Sequence, residues 1–467
     1  MEDMANKKLV IFAIVLLLGG ASILPVLITG NIEMKKAEAA WAAEEFEIAT
    51  ESFARAAKLL PWRAELWEKA GISASMQPDL PNAIFYLSRA SALSEAGWAT
   101  LGYSYYFTGD LTLARQAFEK GVGSNACAEC LAGLASIYRD QKDWPAEHDA
   151  LENQLKLDDK NVFAHYRLGL LLMVLQPEQA LPELMLASSL DPQFGPAVNT
   201  LRAALNGSPT PASPAVRRTT IGRALGLVQE WDLSVAAFEK SIELDPESAE
   251  AWAWLGEARQ QTGKDGRQAL DRAVALDHKS VTVRALRGLY WGRQEKYQQM
   301  LAEYLLAAEY EPQNPAWQAS IGDAQIKLGN LAAALDAYQH ATELAPDDST
   351  YWRLLAVFCA ENGVRVEDLG LPAARQAAEL APEDPLALDA LGLLYLSSGR
   401  FLNAQQTLKR ALELAPQHLP THIHLAMTYL AQSDLAAAFD ELTFVRNAGA
   451  GGPDGLLAQQ LLAQYFP

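Results

Sequence analysis

The sequence predicts an all-α solenoid of about eleven helix–turn–helix units, preceded by one helix long and apolar enough to cross a membrane. Three observations carry this. Short strings ending in proline recur: Glu243-Leu244-Asp245-Pro246, Glu343-Leu344-Ala345-Pro346, Glu379-Leu380-Ala381-Pro382 and Glu413-Leu414-Ala415-Pro416. Their spacing is nearly constant: Pro312 to Pro346 and Pro382 to Pro416 are each 34 residues, and Pro346 to Pro382 is 36. Near the N-terminus the chain runs without a charge from Leu9 to Asn31.

The N-terminal element comes first. Residues 1–8 form a short head with Lys7 and Lys8, and residues 9–30 read as a transmembrane signal anchor. Leu9 to Ile28 is 20 residues, which as a helix spans roughly the 30 Å of a hydrocarbon core. Gly19, Gly20 and Pro25 weaken it, yet such residues are tolerated in membrane helices. A cleaved signal peptide with its apolar region at Leu9 to Leu18 is the competing reading. Against it, apolar residues continue through Ile28, and the small triplet Ala37-Glu38-Ala39 falls inside the first repeat helix. Lys35 and Lys36 behind the span nearly balance Lys7 and Lys8, so charge does not settle orientation. A short anchor places the repeats on the non-cytoplasmic side of a single-pass membrane protein.

Upstream of each proline one pattern returns. Before Pro416 stand Leu391-Gly392, Tyr395, Gly399, Phe401, Ala404, Leu408 and Ala411; before Pro346 stand Ile321-Gly322, Gly329, Leu331, Ala334, Tyr338 and Ala341. Earlier units read Trp98, Leu101-Gly102, Tyr105, Gly109, Ala114, Phe118, and Leu168-Gly169, Ala180, Leu184, Ala187, Pro192. The small residues belong where two helices cross, because a larger side chain would hold them apart. The proline marks the unit boundary, since it disfavours helix in the residue before it and starts the next helix well.

These residues resemble the tetratricopeptide repeat, whose signature is a Trp, then Leu-Gly, a Tyr, a small-residue turn, Ala, an aromatic, Ala and Pro. The resemblance covers nearly everything after the anchor and implies a right-handed superhelical stack. The N-terminal array spans residues 31–205 and the C-terminal array 215–448, with a Gly/Ser/Pro linker at 206–214 between them. Residues 449–467 form a loop and a capping helix, as the open end of a stack must be shielded.

Composition narrows the function. Half of the 467 residues are hydrophobic and a fifth charged, which is a folded chain. Lys+Arg 38 against Asp+Glu 57 leaves a net charge of −19, which disfavours nucleic acid as a partner. Cys127-Ala-Glu-Cys130 has the spacing of a redox or half-metal site, but the third cysteine, Cys359, is several units away. The plainer reading is a structural pair at a helix start, disulfide-bonded if exported. His418, His422 and His424 cluster at the opening of the last unit, with His422 where Trp stands elsewhere. They read as packing residues, and no metal or cofactor is expected. No phosphate loop, Gly-x-Ser-x-Gly elbow or HExxH is present, and the repeats leave no stretch for a catalytic domain, so an enzyme is not expected.

The resemblance implies that the first helix of each unit lines a concave face. There the candidate peptide-groove residues are Tyr103, Tyr106 and Phe107 with Ala99; Phe163, Tyr166, Leu170 and Met173; and Leu386, Leu393, Leu396, Ile423 and Met427. Aromatic and Met-bearing walls suit an apolar helix or extended peptide. The Lys and Asn residues with which some relatives grip a C-terminal carboxylate are missing. The expectation is a membrane-anchored scaffold holding other proteins through its groove, in assembly of a bacterial envelope complex by analogy of architecture. The alternative is a thiol redox or metal-delivery protein using Cys127 and Cys130.

Overall fold

Each helix of the chain is too short to bury its apolar stripe alone and does so against the next one. The computed structural model describes residues 24–77, 79–124, 126–206 and 213–466, and among them every regular element is helical. The chain divides into two compact units, residues 1–237 and 238–467, with the division inside the helix Trp231–Leu244.

In the first unit five helical hairpins follow one another. They pair 24–42 with Phe46–Leu59, Glu65–Ser75 with Leu80–Leu87, Glu95–Phe107 with Leu111–Ser124, Ala128–Gln141 with Trp144–Leu157, and Val162–Leu175 with Pro177–Leu190. Then come a single helix, Gly195–Asn206, and the helix Pro214–Leu227, onto which the start of Trp231–Leu244 folds back. The second unit holds six hairpins. Their first helices are Ala249–Gln261, Val281–Arg293, Pro315–Lys327, Ser349–Asn362, Pro385–Ser397 and Leu419–Ala431, and the helix Pro453–Tyr465 closes the end. That last helix packs Ala458 and Leu462 against Ile423, Leu442 and Val445.

Local sequence sets the ends of these helices. Ser94 accepts from the N–H of Gly97, Asn161 from Ala164, Ser248 from Ala251 and Asp434 from Ala437, each satisfying a first-turn donor. Between the two helices of a hairpin one residue adopts left-handed φ: Gly109 (88°) in one hairpin, Lys142 (58°) in the next. Glycine takes that conformation without the strain a Cβ adds.

Inside most hairpins the helices touch at a glycine, and a buried alanine, Ala37, Ala135, Ala356 or Ala426, takes that place in the others. A Cβ added to Gly102 would stand 2.3 Å from the Phe118 ring, one on Gly288 2.3 Å from Tyr304, and one on Gly392 2.5 Å from Leu408. The opposite face of Phe118 meets Gly133 of the following hairpin, where an added Cβ would lie 2.2 Å away. One buried ring thus closes two helix contacts at once.

Polar ties join elements of the first unit that are far apart in sequence. Glu147, fully buried, receives Arg167 through two bonds of 2.6 and 3.0 Å and Arg139 at 3.2 Å. Arg167 also donates to Glu230 at 3.0 Å, 63 residues on, and Lys142 pairs with Asp232. The core extends past the Gly/Ser/Pro stretch, since Leu201 and Ala204 share one cluster with Ile221, Ala224 and Leu225. Residues 207–212 of the expected linker lie outside the described residues.

The membrane assignment is corrected. Among the described residues no helix is long and apolar enough to cross a membrane. Residues 9–23 of the expected span lie outside the described residues. Residues 24–30 run without a break into the first repeat helix, where Gly30 packs on Leu60 and Ala37 and Ala40 join the core with Phe53. That helix carries Glu33, Lys35, Lys36 and Glu38, which suits a hairpin partner with one wet face.

Gly102→Ala tests the crossing. With Phe118 held between two helices, the variant loses about 2 kcal/mol of stability, more than the roughly 1 kcal/mol expected for Gly109→Ala, where space is open and only φ is strained. Chemical denaturation measures both, and Phe118→Leu introduced beside Gly102→Ala should recover part of the loss.

Candidate functional site

With its tight-crossing glycine facing the partner helix, each first helix turns the residues one and four positions later toward the same open side. In the third hairpin these are Tyr103 and Tyr106, and Phe107 follows. Tyr103 is half-buried, its ring edge-on to Phe118 at 5.0 Å and stacked with Phe107 at 6.2 Å. The Tyr106 hydroxyl donates to Asp140 of the next hairpin at 2.5 Å, and its ring meets Phe107 at 5.3 Å. Burial pushes the Tyr103 phenol up to about 12, with Glu129 adding to it; the bond to Asp140 does the same for Tyr106. Both stay neutral donors with apolar bodies. Phe107 is 67% exposed, so this aromatic triplet ends in open surface.

The same two offsets in the first and second hairpins select Glu38 and Trp41 behind Ala37, and Ile72 and Ser75 behind Gly71. Sequence reading did not pick them out, although counting back from Gly102 along the repeat period finds them. Glu38, Trp41, Phe53, Lys69 and Ile72 line a cavity of about 310 Å³. Phe53 is buried at its floor, Trp41 stands 37% exposed with its ring 5.4 Å from Phe46, and Lys69 lies 3.7 Å from Glu38 at the rim. Since Glu65–Ser75 packs against Glu95–Phe107, cavity and triplet lie on one face of three successive hairpins.

Sequence models of the tetratricopeptide repeat match residues 96–126 and 219–281. The chain is a tetratricopeptide-repeat protein. A model of the cilia and flagella-associated protein 70 C-terminal domain matches residues 267–461. Among solved structures the chain is similar to the APC/C hetero-tetramer Cut9–Hcn1, at 13% identity and TM-score 0.41 over 94% of this chain and 96% of that one. It is also similar to yeast Tom70, at 15% and 0.43 over 93% and 95%, and to Pseudomonas aeruginosa PilF, at 13% and 0.37 over 54% and 97%. No curated protein matches it. Tetratricopeptide-repeat proteins in general mediate protein–protein interactions.

Elsewhere along the repeats the expected groove is uneven. Phe163 is 74% exposed but edges onto Phe194 at 5.7 Å, and Tyr166 packs on the same ring at 4.5 Å. Leu170 and Met173 are corrected: both are fully buried. Helix Pro214–Leu227 packs against theirs, and Arg218 donates to the carbonyls of Met173, at 3.3 Å, and Val174. In the second unit Leu386 and Met427 are exposed and Leu393 and Leu396 half-buried, whereas Ile423 is buried beneath the closing helix and offers no surface.

The residues with chemical potential are held in structural contacts. Cys127 and Cys130 form a disulfide, and both are without exposure, Cys127 also accepting from the Cys130 N–H at the start of its helix. Cys359 is buried in the other unit, its thiol pushed up to about 11 by burial. The thiol-carrier alternative therefore lacks an accessible sulfur. His422 bonds Glu441 at 2.5 Å and the Pro416 carbonyl at 3.0 Å, His424 bonds Asp389 at 2.8 Å, and His418 bonds Thr421 at 2.7 Å. The three rings point to different partners. Among the described residues the donor atoms of His148, Asp149 and Glu152 lie within 4.8 Å of one another, on one helix surface that two of the three leave exposed.

His422 sits where Trp252 and Trp352 stand in other repeats, and all three donate to the carbonyl six residues before, at 2.9 Å for Trp252 and 2.7 Å for Trp352. Burial alone lowers the His422 pKa, but the bonds to Glu441 and Pro416 outweigh it and raise the value above that of a free imidazole. The protonated ring therefore stabilises the folded state below the free-histidine pKa of about 6.5, and that contribution is lost as pH rises through the higher folded value. The stability difference between wild type and His422→Gln should be larger at acid pH than at alkaline pH in thermal melts. Equal differences at both would remove the charged pair.

Proposed function

We propose that this chain is a non-enzymatic scaffold that binds segments of other proteins along the concave faces of its repeats. The observation that carries it is the large apolar side chains at one register of the first three hairpins, Trp41, Ile72, Tyr103 and Tyr106 with Phe107, beside a preformed cavity. Aromatic side chains supply much contact area with few rotatable bonds, which is why they dominate interface energetics. A lesser face, Leu386, Leu393, Leu396 and Met427, extends the reading to the second unit. The net charge of −19 sets the sign of a suitable partner and argues against nucleic acid.

Phe107 and Tyr106 are the residues to change, because Tyr103 also packs on the core ring Phe118. In-cell crosslinking followed by affinity purification and mass spectrometry would compare wild type with the Tyr106→Ala/Phe107→Ala variant. Recovery of a small set of partners should fall about tenfold, as for loss of central interface anchors, while the melting curve is unchanged. An identical partner set in both would remove the N-terminal groove from the function.

A further inference from the structure

We propose that the cavity beneath Trp41 is an anchor pocket for one bulky apolar side chain, Leu, Phe or Trp, of a partner segment that carries Lys or Arg beside it. This rests on the groove reading above and names the partner's chemistry. The cavity of about 310 Å³ is at the small end of ligand pockets, so it takes one large side chain and not a folded element. Its floor is the buried ring of Phe53, and Trp41 and Ile72 are among its lining residues, so the desolvated part of the occupant must be apolar.

The rim decides the charge. Glu38 and Lys69 face each other across it at 3.7 Å, and Lys69 lies 5.7 Å from the centre of the Phe53 ring. The turn directly after Trp41 carries Glu44 and Glu45, and Glu47 follows Phe46, the ring on which Trp41 rests. All three glutamates are exposed and none pairs with a described cation. Arg55 of the same hairpin is already held by Glu33 and Glu51. At the rim itself one ammonium faces one carboxylate, and the turn that follows Trp41 adds three exposed carboxylates and no cation. A cation placed next to the buried side chain would relieve that imbalance. An acidic segment would meet repulsion, so the rim selects as well as attracts.

The test uses the full chain and a random peptide library displayed on phage, selected in parallel on wild type and on Trp41→Ala. Sequences enriched only by wild type should pair a Leu, Phe or Trp with an adjacent Lys or Arg. Labelled peptides of that kind should lose about tenfold in affinity on Trp41→Ala, as for an anchor residue, and bind more weakly as salt rises. Lys69→Glu, which removes the rim's cation, should tighten them several-fold; because Lys69 is a surface group, this variant tests the charge argument without touching the core. Enrichment that is the same on both proteins, or that ignores apolar anchors or charge, overturns the pocket. Self-association abolished by Trp41→Ala would make a second copy the occupant and overturn the basic segment. If cellular partners depend on Tyr106 and Phe107 but not on Trp41, the pocket fails while the groove stands; if they depend on neither, both fail.

Discussion

The structure depends on how closely two helices can approach at one point per hairpin. In most hairpins a glycine on the first helix receives a Leu or aromatic side chain from the second, and the absent Cβ is the space that side chain occupies; a buried alanine stands there in the rest. Close packing of this kind cannot absorb even one added carbon without moving a helix. Because the crossing is fixed, the rest of the first helix has fixed directions as well. Residues four before the crossing residue anchor the unit boundary, and residues one and four after it share the opposite, more open side.

The open face is therefore a by-product of the crossing, and its chemistry varies freely while the crossing does not. In the first three hairpins it carries Trp41, Ile72, Tyr103 and Tyr106 and keeps a cavity. In the fifth hairpin the same register holds Leu170 and Met173, but a helix from beyond the expected linker covers them, joined by Arg218 to the helix end and by Arg167 and Glu230 to the unit's buried ion pair. Breaking such a pair would strand Glu147 as an uncompensated buried charge. The open side of the first unit's hairpins is thus closed at Leu170 and Met173, beside the buried ion pair.

The boundary position shows how far one site can change while its job persists. Trp252, Trp352, His422, His165 and Arg284 all donate to a carbonyl six residues upstream. Where Trp is replaced, a glutamate on the second helix takes the other side of the ring or guanidinium: Glu183 with His165, Glu303 with Arg284, Glu441 with His422. His422, which sits in a cluster that suggests a metal in the sequence, is in this sense a substitute for tryptophan, and its position in the period already said so.

By itself the sequence determined the helical hairpins, their period and the small residues at the crossings, because these rest on local spacing and on side-chain volume, both readable along one chain. It read residues 24–30 as the end of a membrane span, because an uncharged stretch looks the same whether lipid or a neighbouring helix covers it, and these residues pack as the start of a repeat helix. Only the tertiary structure decided which groove residues are free. Burial at Leu170, Met173 and Ile423 is imposed by elements that arrive later in the chain, and no periodicity within a unit records what its neighbours will cover. The cavity at Trp41 is of the same kind, since a void exists only between helices and has no residue of its own.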